Sequence, residues 1–135
     1  MEFLVTIHSI WRYAVLVAAV GALALAVLAY AGSRQWDALA DRFSLYFTIA
    51  MDIQVLIGIL VWILVWLTGD EARSDPFLVW IHPGAMLVAT GLAHAGRVLS
   101  ERAEGSRAKG GRAAAFFAAS LLLVLVAIPL SSWPL

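Results

Sequence analysis

The chain has 135 residues, 63% of them hydrophobic and 13% charged, and its formal net charge is zero. A soluble domain carries about 25% charged residues, so this balance excludes an ordinary water-soluble fold and points to one small integral membrane domain. Neutrality removes the basic surface on which nucleic acid binding depends, and the absence of cysteine excludes disulfides, thiolate metal sites, iron–sulfur clusters and covalently attached c-type haem.

Four charge-poor runs follow in chain order, at about 3–31, 43–68, 77–97 and 113–133. A helix crossing a bilayer needs about 20 apolar residues, so each run predicts one span. In the first run Ala29-Tyr30-Ala31 resembles a leader cleavage site. Glu2 and the lack of a positively charged start argue instead for a retained span.

The linkers between the runs are short. The first, Gly32 to Arg42, holds Arg34 and Arg42; the second, Gly69 to Pro76, holds Asp70, Glu71, Arg73 and Asp75. The third, Arg97 to Arg112, holds Arg97, Arg102, Arg107, Lys109 and Arg112, with Gly105, Gly110 and Gly111 for flexibility. Cytoplasmic loops keep the Lys/Arg excess, so the first and third linkers are expected inside and both termini outside. Short linkers force neighbours to run antiparallel. The expected architecture is all-α: a polytopic, up-down-up-down four-helix transmembrane bundle in contact with the lipid bilayer.

One tryptophan falls near the expected outer end of each helix: Trp11, Trp66, Trp80 and Trp133. Tryptophan belts mark membrane interfaces, and these four are used as a depth ruler. On that ruler the polar groups fall into two buried layers. The outer layer holds His8, Arg12 and His82, and the inner layer holds Asp52 and His94. Ionisable groups inside spans are costly and mark functional sites.

His8 and His82 lie on the first and third helices, which are diagonal in such a bundle. With neighbouring axes about 8–10 Å apart the diagonal is about 11–14 Å, a spacing that lets two imidazoles reach one haem iron from opposite sides. The faces below them, Ala85, Met86, Ala89 and Ala93 on one side and Arg12, Val15, Ala19, Ala22 and Ala26 on the other, are mostly small and predict a slot. Arg12 is expected either to neutralise a haem propionate or to snorkel to the headgroups. The ruler sets His8 and His82 roughly 7–8 Å apart in depth.

Asp52 and His94 have matched depth on adjacent helices, which predicts a direct hydrogen bond. The pair reads either as a proton or quinone-headgroup site or as an interhelical bond fixing register. Gln54 is nearly opposite Asp52 around its helix, so both cannot face the centre.

The set His8-Ser9-x-x-Arg12-Tyr13, Asp52-x-Gln54-x-x-x-Gly58, His82-Pro83-x-x-Met86 and Ala93-His94-x-Gly96-Arg97, with Ile128-Pro129 near the end, resembles a group of small bacterial four-helix integral membrane proteins loosely labelled b-type-cytochrome-like. The resemblance implies a bacterial inner (plasma) membrane location and His8 and His82 as metal-ligand candidates for haem b, with His94 a further candidate. Four-helix diheme cytochromes carry more histidines than the three present here, which leaves one haem or none. The first functional expectation is a small b-type haem protein in single-electron transfer near the outer face, meeting quinone or a larger membrane complex. The second is a cofactor-free accessory subunit of a respiratory or photosynthetic complex. A third is copper handling by His8, His82 and Met86.

Overall fold

The computed structural model describes residues 1–133. Four long helices form a bundle: α1 (Glu2–Tyr30), α2 (Ala38–Thr68), α3 (His82–Arg102) and α4 (Ser106–Ala127). A 3-10 turn (Glu71–Ser74) and a π-helical turn (Phe77–Ile81) lead into α3, and a second 3-10 turn (Leu130–Ser132) follows α4. All four helices, with the π turn counted into the third, are long and apolar enough to cross a membrane. α1 packs on α2 and α4, and α3 packs on α4 and α2, which leaves α1 and α3 on the diagonal.

Local chemistry sets the helix ends. Asp37 caps α2 by accepting the Ala40 N–H at 3.0 Å, meeting one of the donors that every helix start leaves unpaired. Gly69, at φ +69°, turns the chain out of α2 in the left-handed region, where a residue without Cβ is favoured. Asp70 and Asp75 accept the N–H groups of Ala72 and Phe77 and so start the two turns that precede α3.

Two of these ends differ from the charge-free runs. The third linker, expected from Arg97 to Arg112, shrinks to Ala103–Gly105, and its basic residues sit on helix ends. Lys109 and Arg112 there donate to the carbonyls of Ser100 and Leu99 in the last turn of α3, where the helix dipole favours cations. α4 also stops at Ala127 rather than near Trp133, because Pro129 has no N–H to continue the ladder.

The alanine-rich faces pack tightly. Ala19, Ala22, Ala26 and Ala89 are buried in the core with Phe47, Met51 and Phe117. A Cβ on Gly110 would come within 2.5 Å of the Ala26 carbonyl oxygen and 2.6 Å of the Tyr30 nitrogen, so α1 and α4 meet backbone to backbone, as small residues allow in membranes. The Ser120 hydroxyl donates to the Ala89 carbonyl at 2.7 Å and ties α4 to α3. These small side chains therefore form seams, and the expected slot is not between them. The open volume lies nearer the end of the bundle where α1 begins and α2 ends.

Candidate functional site

A cavity of about 680 Å³ lies among α1, α2, α3 and the segment after α4. That volume is in the range of small-molecule and cofactor sites, about 300–1,000 Å³. His8, Arg12, Gln54, Gly58, His82 and Met86 are among its lining residues. Met51 and Val15 reach its inner part, and Ile59 and Leu87, both on its wall, have exposed side chains on the α2 and α3 side.

His82 owes its position to two prolines. Pro83 lacks the N–H that would bond the Val79 carbonyl, and the chain before it winds as a π turn, with the His82 N–H reaching the Phe77 carbonyl. The Trp62 indole N–H donates to the vacated Val79 carbonyl at 2.9 Å. On the other side, Pro129 ends α4 so that the Ala127 carbonyl has no successor within the helix. His82 Nδ1 takes that carbonyl at 2.8 Å. An imidazole donating from Nδ1 keeps its lone pair on Nε2, the arrangement seen in metal-ligating histidines whose second nitrogen is fixed by a backbone acceptor.

His8 comes from α1 and stands beside Gly58 of α2. A Cβ at position 58 would lie 3.1 Å from its Cε1, so glycine leaves room for the ring. The His8 and His82 ring centres are 6.1 Å apart with planes at 85°. The depth mismatch expected from the tryptophan ruler is absent, because Trp11 is not a belt residue. Its indole donates to the Ala50 carbonyl at 2.9 Å, and Ala50 lies about 24 Å along α2 from Trp66. Trp66 and Trp80 do stay together, in a cluster with Trp62 whose ring centres are 6.1–6.3 Å apart.

Gln54 faces inward, and sequence reasoning assigned it no role. Its amide donates to the His8 carbonyl at 3.0 Å and lies 3.4 Å from His8 Nε2. Gln54 Oε1 and His8 Nδ1 are both buried without a hydrogen-bond partner among the described residues. Buried polar atoms are paired in the great majority of cases, so the unpaired acceptor and the unpaired imidazole nitrogen leave hydrogen-bonding capacity on one cavity wall. The spacing that pairs Gln54 with His8 crosses two helices, and no pattern within one helix reveals it.

Arg12 is buried, 6% exposed, and so does not snorkel. Its guanidinium donates to the Ser132 carbonyl and lies 4.8 Å from the Trp133 ring centre and 5.1 Å from that of Tyr13. It anchors the segment after α4 over one end of the cavity.

Asp52 and His94 form the expected bond, with His94 Nε2 and Asp52 Oδ1 at 2.7 Å. Their place corrects the expectation of a buried inner layer, because each side chain is 46% exposed on the outer surface of the bundle. Asp52 and Gln54 indeed point apart, with Gln54 the inner one.

Two imidazoles on opposite sides of one metal, each nitrogen about 2 Å from it, have ring centres roughly 6 Å apart. The His8–His82 pair has that separation, and the cavity beside it has the volume of a cofactor site, so the residues fit a bis-histidine haem. Among the described residues no three or more His, Cys, Asp or Glu side chains converge as a metal cluster. No family model matches the chain, and neither a curated protein nor a solved structure is similar to it.

Proposed function

We propose that this chain is a small integral membrane haem protein of the b type, carrying one haem between His8 and His82 and passing single electrons near the outer face of a bacterial inner membrane. The observation that carries the reading is the diagonal pair of imidazoles, 6.1 Å between centres, on the wall of a cavity of about 680 Å³. The unpaired His8 Nδ1 and Gln54 Oε1 in the same wall support a guest there.

The chain's own residues would act as follows. His82 would offer Nε2 to the haem, its Nδ1 being held by the Ala127 carbonyl, which fixes the tautomer. His8 would offer its unpaired Nδ1 from the opposite helix. Arg12, buried one turn further along α1 than His8, would pair with a propionate. The largely apolar walls would exclude water from the cavity. A bound haem would supply one-electron chemistry.

The orientation proposed is termini outside, with Arg34, Arg42, Arg102, Arg107 and Lys109 on the cytoplasmic side. The test is a visible spectrum of the protein purified from haem-replete cells. A Soret band with paired α and β bands on reduction, lost in His82→Ala and His8→Ala, is the expected result. A colourless preparation that co-purifies with other subunits overturns the haem reading in favour of an accessory subunit. Stoichiometric copper lost in Met86→Leu overturns it in favour of copper handling.

A further inference from the structure

The Asp52–His94 couple lies outside the cavity and is unused by the haem reading. It sits on the outer surface of the α2–α3 seam, with each side chain 46% exposed. Leu56, Leu87, Val88 and Val98 on the same two helices are exposed and apolar. Toward the basic end, Arg97 reaches Asp41 at 3.8 Å and Glu101 at 3.0 Å. His94 lies about 10 Å along α3 from Glu101, deeper than two short side chains reach from the headgroups. A polar couple facing hydrocarbon at this depth is costly unless its remaining groups are met.

Those groups define what meets them. An Asp52 carboxylate accepts the Nε2 proton of His94, and the neutral imidazole then keeps its lone pair on Nδ1. His94 Nδ1 and Asp52 Oδ2 make no hydrogen bond among the described residues. Both are acceptors, so the complement is an O–H donor that travels in the bilayer. Lipid phosphates are acceptors only and do not fit. A hydroquinone hydroxyl fits; the carbonyl of the oxidised quinone does not. Gly91, one turn from His94, has open space where a Cβ would stand, so a flat ring meets no side chain there. Met51 lines the inner part of the cavity and precedes Asp52 in the chain, so the two sites share one turn of α2.

We propose that Asp52 and His94 form a lipid-facing docking site for the hydroxyl of a membrane hydroquinone, selective for the reduced form over the quinone. The proposal goes beyond the haem reading and concerns binding alone, with no bond made or broken.

The test is calorimetric titration of the full chain in lipid nanodiscs. A decyl-substituted benzohydroquinone is added to dithionite-reduced protein, and the matching benzoquinone to air-oxidised protein. Saturable binding is expected, tighter for the hydroquinone. His94→Phe should weaken hydroquinone binding about tenfold, the scale of one lost hydrogen bond. Asp52→Asn, a milder change, should narrow the preference for the reduced form, because the His94 tautomer is no longer set. Equal affinities for the two forms, or wild-type affinity in a folded His94→Phe protein, overturn the proposal. So does near-complete disulfide pairing of two copies of a Gly91→Cys variant in nanodiscs without hydroquinone binding, which would mean that a second copy covers the couple. Haem is scored separately by the Soret band: selective hydroquinone binding by a colourless protein supports the docking site and sinks the haem reading. A Soret band without such binding does the reverse.

Discussion

His8 has its place because position 58 is glycine. The nearest His8 ring atom would be 3.1 Å from a Cβ there, which alanine tolerates with a small shift and valine does not. Gly58→Val should push the ring out of the cavity while α2 stays helical. Overpacking of this kind costs about 1–3 kcal/mol, so haem affinity should fall by about 5- to 150-fold, read from Soret absorbance per mole of folded protein in a haem titration. Asp37 gives a second prediction at this scale. The Ala40 N–H, and after it the Arg34 guanidinium, hold its carboxyl below the ordinary value. A depressed folded pKa means that the cap stabilises fully above about pH 4 and loses its effect as pH falls through the lowered folded value. Asp37→Asn keeps an acceptor without the titration. The acid-side decline in melting temperature should therefore be shallower in the variant than in the parent, measured in detergent from pH 7 to pH 3.

The start of α3 shows how an element is built from substitutes for missing bonds. Pro83 withholds an N–H, and the Trp62 indole supplies one to Val79 from the neighbouring helix. Trp62→Phe should leave that carbonyl unmet and destabilise the protein by about 1–3 kcal/mol. In a Pro83→Ala background the restored backbone donor should remove much of the penalty. A double-mutant cycle of unfolding in detergent checks this, and additive effects would count against the account. The existence of four helices was legible in the sequence because runs of apolar residues this long have one solution in lipid. The ends were not, since Lys109 and Arg112 read as loop residues until the α3 carbonyls that they meet are known. The site was legible in its histidines and its Asp52–His94 bond. It was not legible in depth, because Trp11 reads as an interfacial residue from its position in the chain, whereas its indole bonds the Ala50 carbonyl. Gln54 escaped for a similar reason: its partner, His8, belongs to another helix.

For the whole molecule, the packing divides the bundle into a dense half and an open one. The α1–α4 seam is closed backbone to backbone at Gly110, while the cavity reaches the surface between α2 and α3. Gly110→Leu should loosen the dense half, lowering the melting temperature by several degrees with little effect on the outer cavity until the bundle opens. The chain has no cysteine, so single introduced thiols report topology cleanly. With the proposed orientation, Ala72→Cys should react with an impermeant maleimide in intact cells, and Ser33→Cys only after permeabilisation. The opposite pattern would invert the assigned sides.

The acceptor that aims His82 is a main-chain oxygen, that of Ala127, and this decides how the pocket is tuned. Exchanging the alanine side chain leaves the carbonyl in place, so a substitution there changes the packing of a buried position rather than the acceptor itself. Control passes to Pro129, two residues on, which is remote from the imidazole in formula yet sets whether that oxygen is spoken for. Replacing it with alanine would let α4 wind one turn further, consume the carbonyl internally and release the ring to rotate.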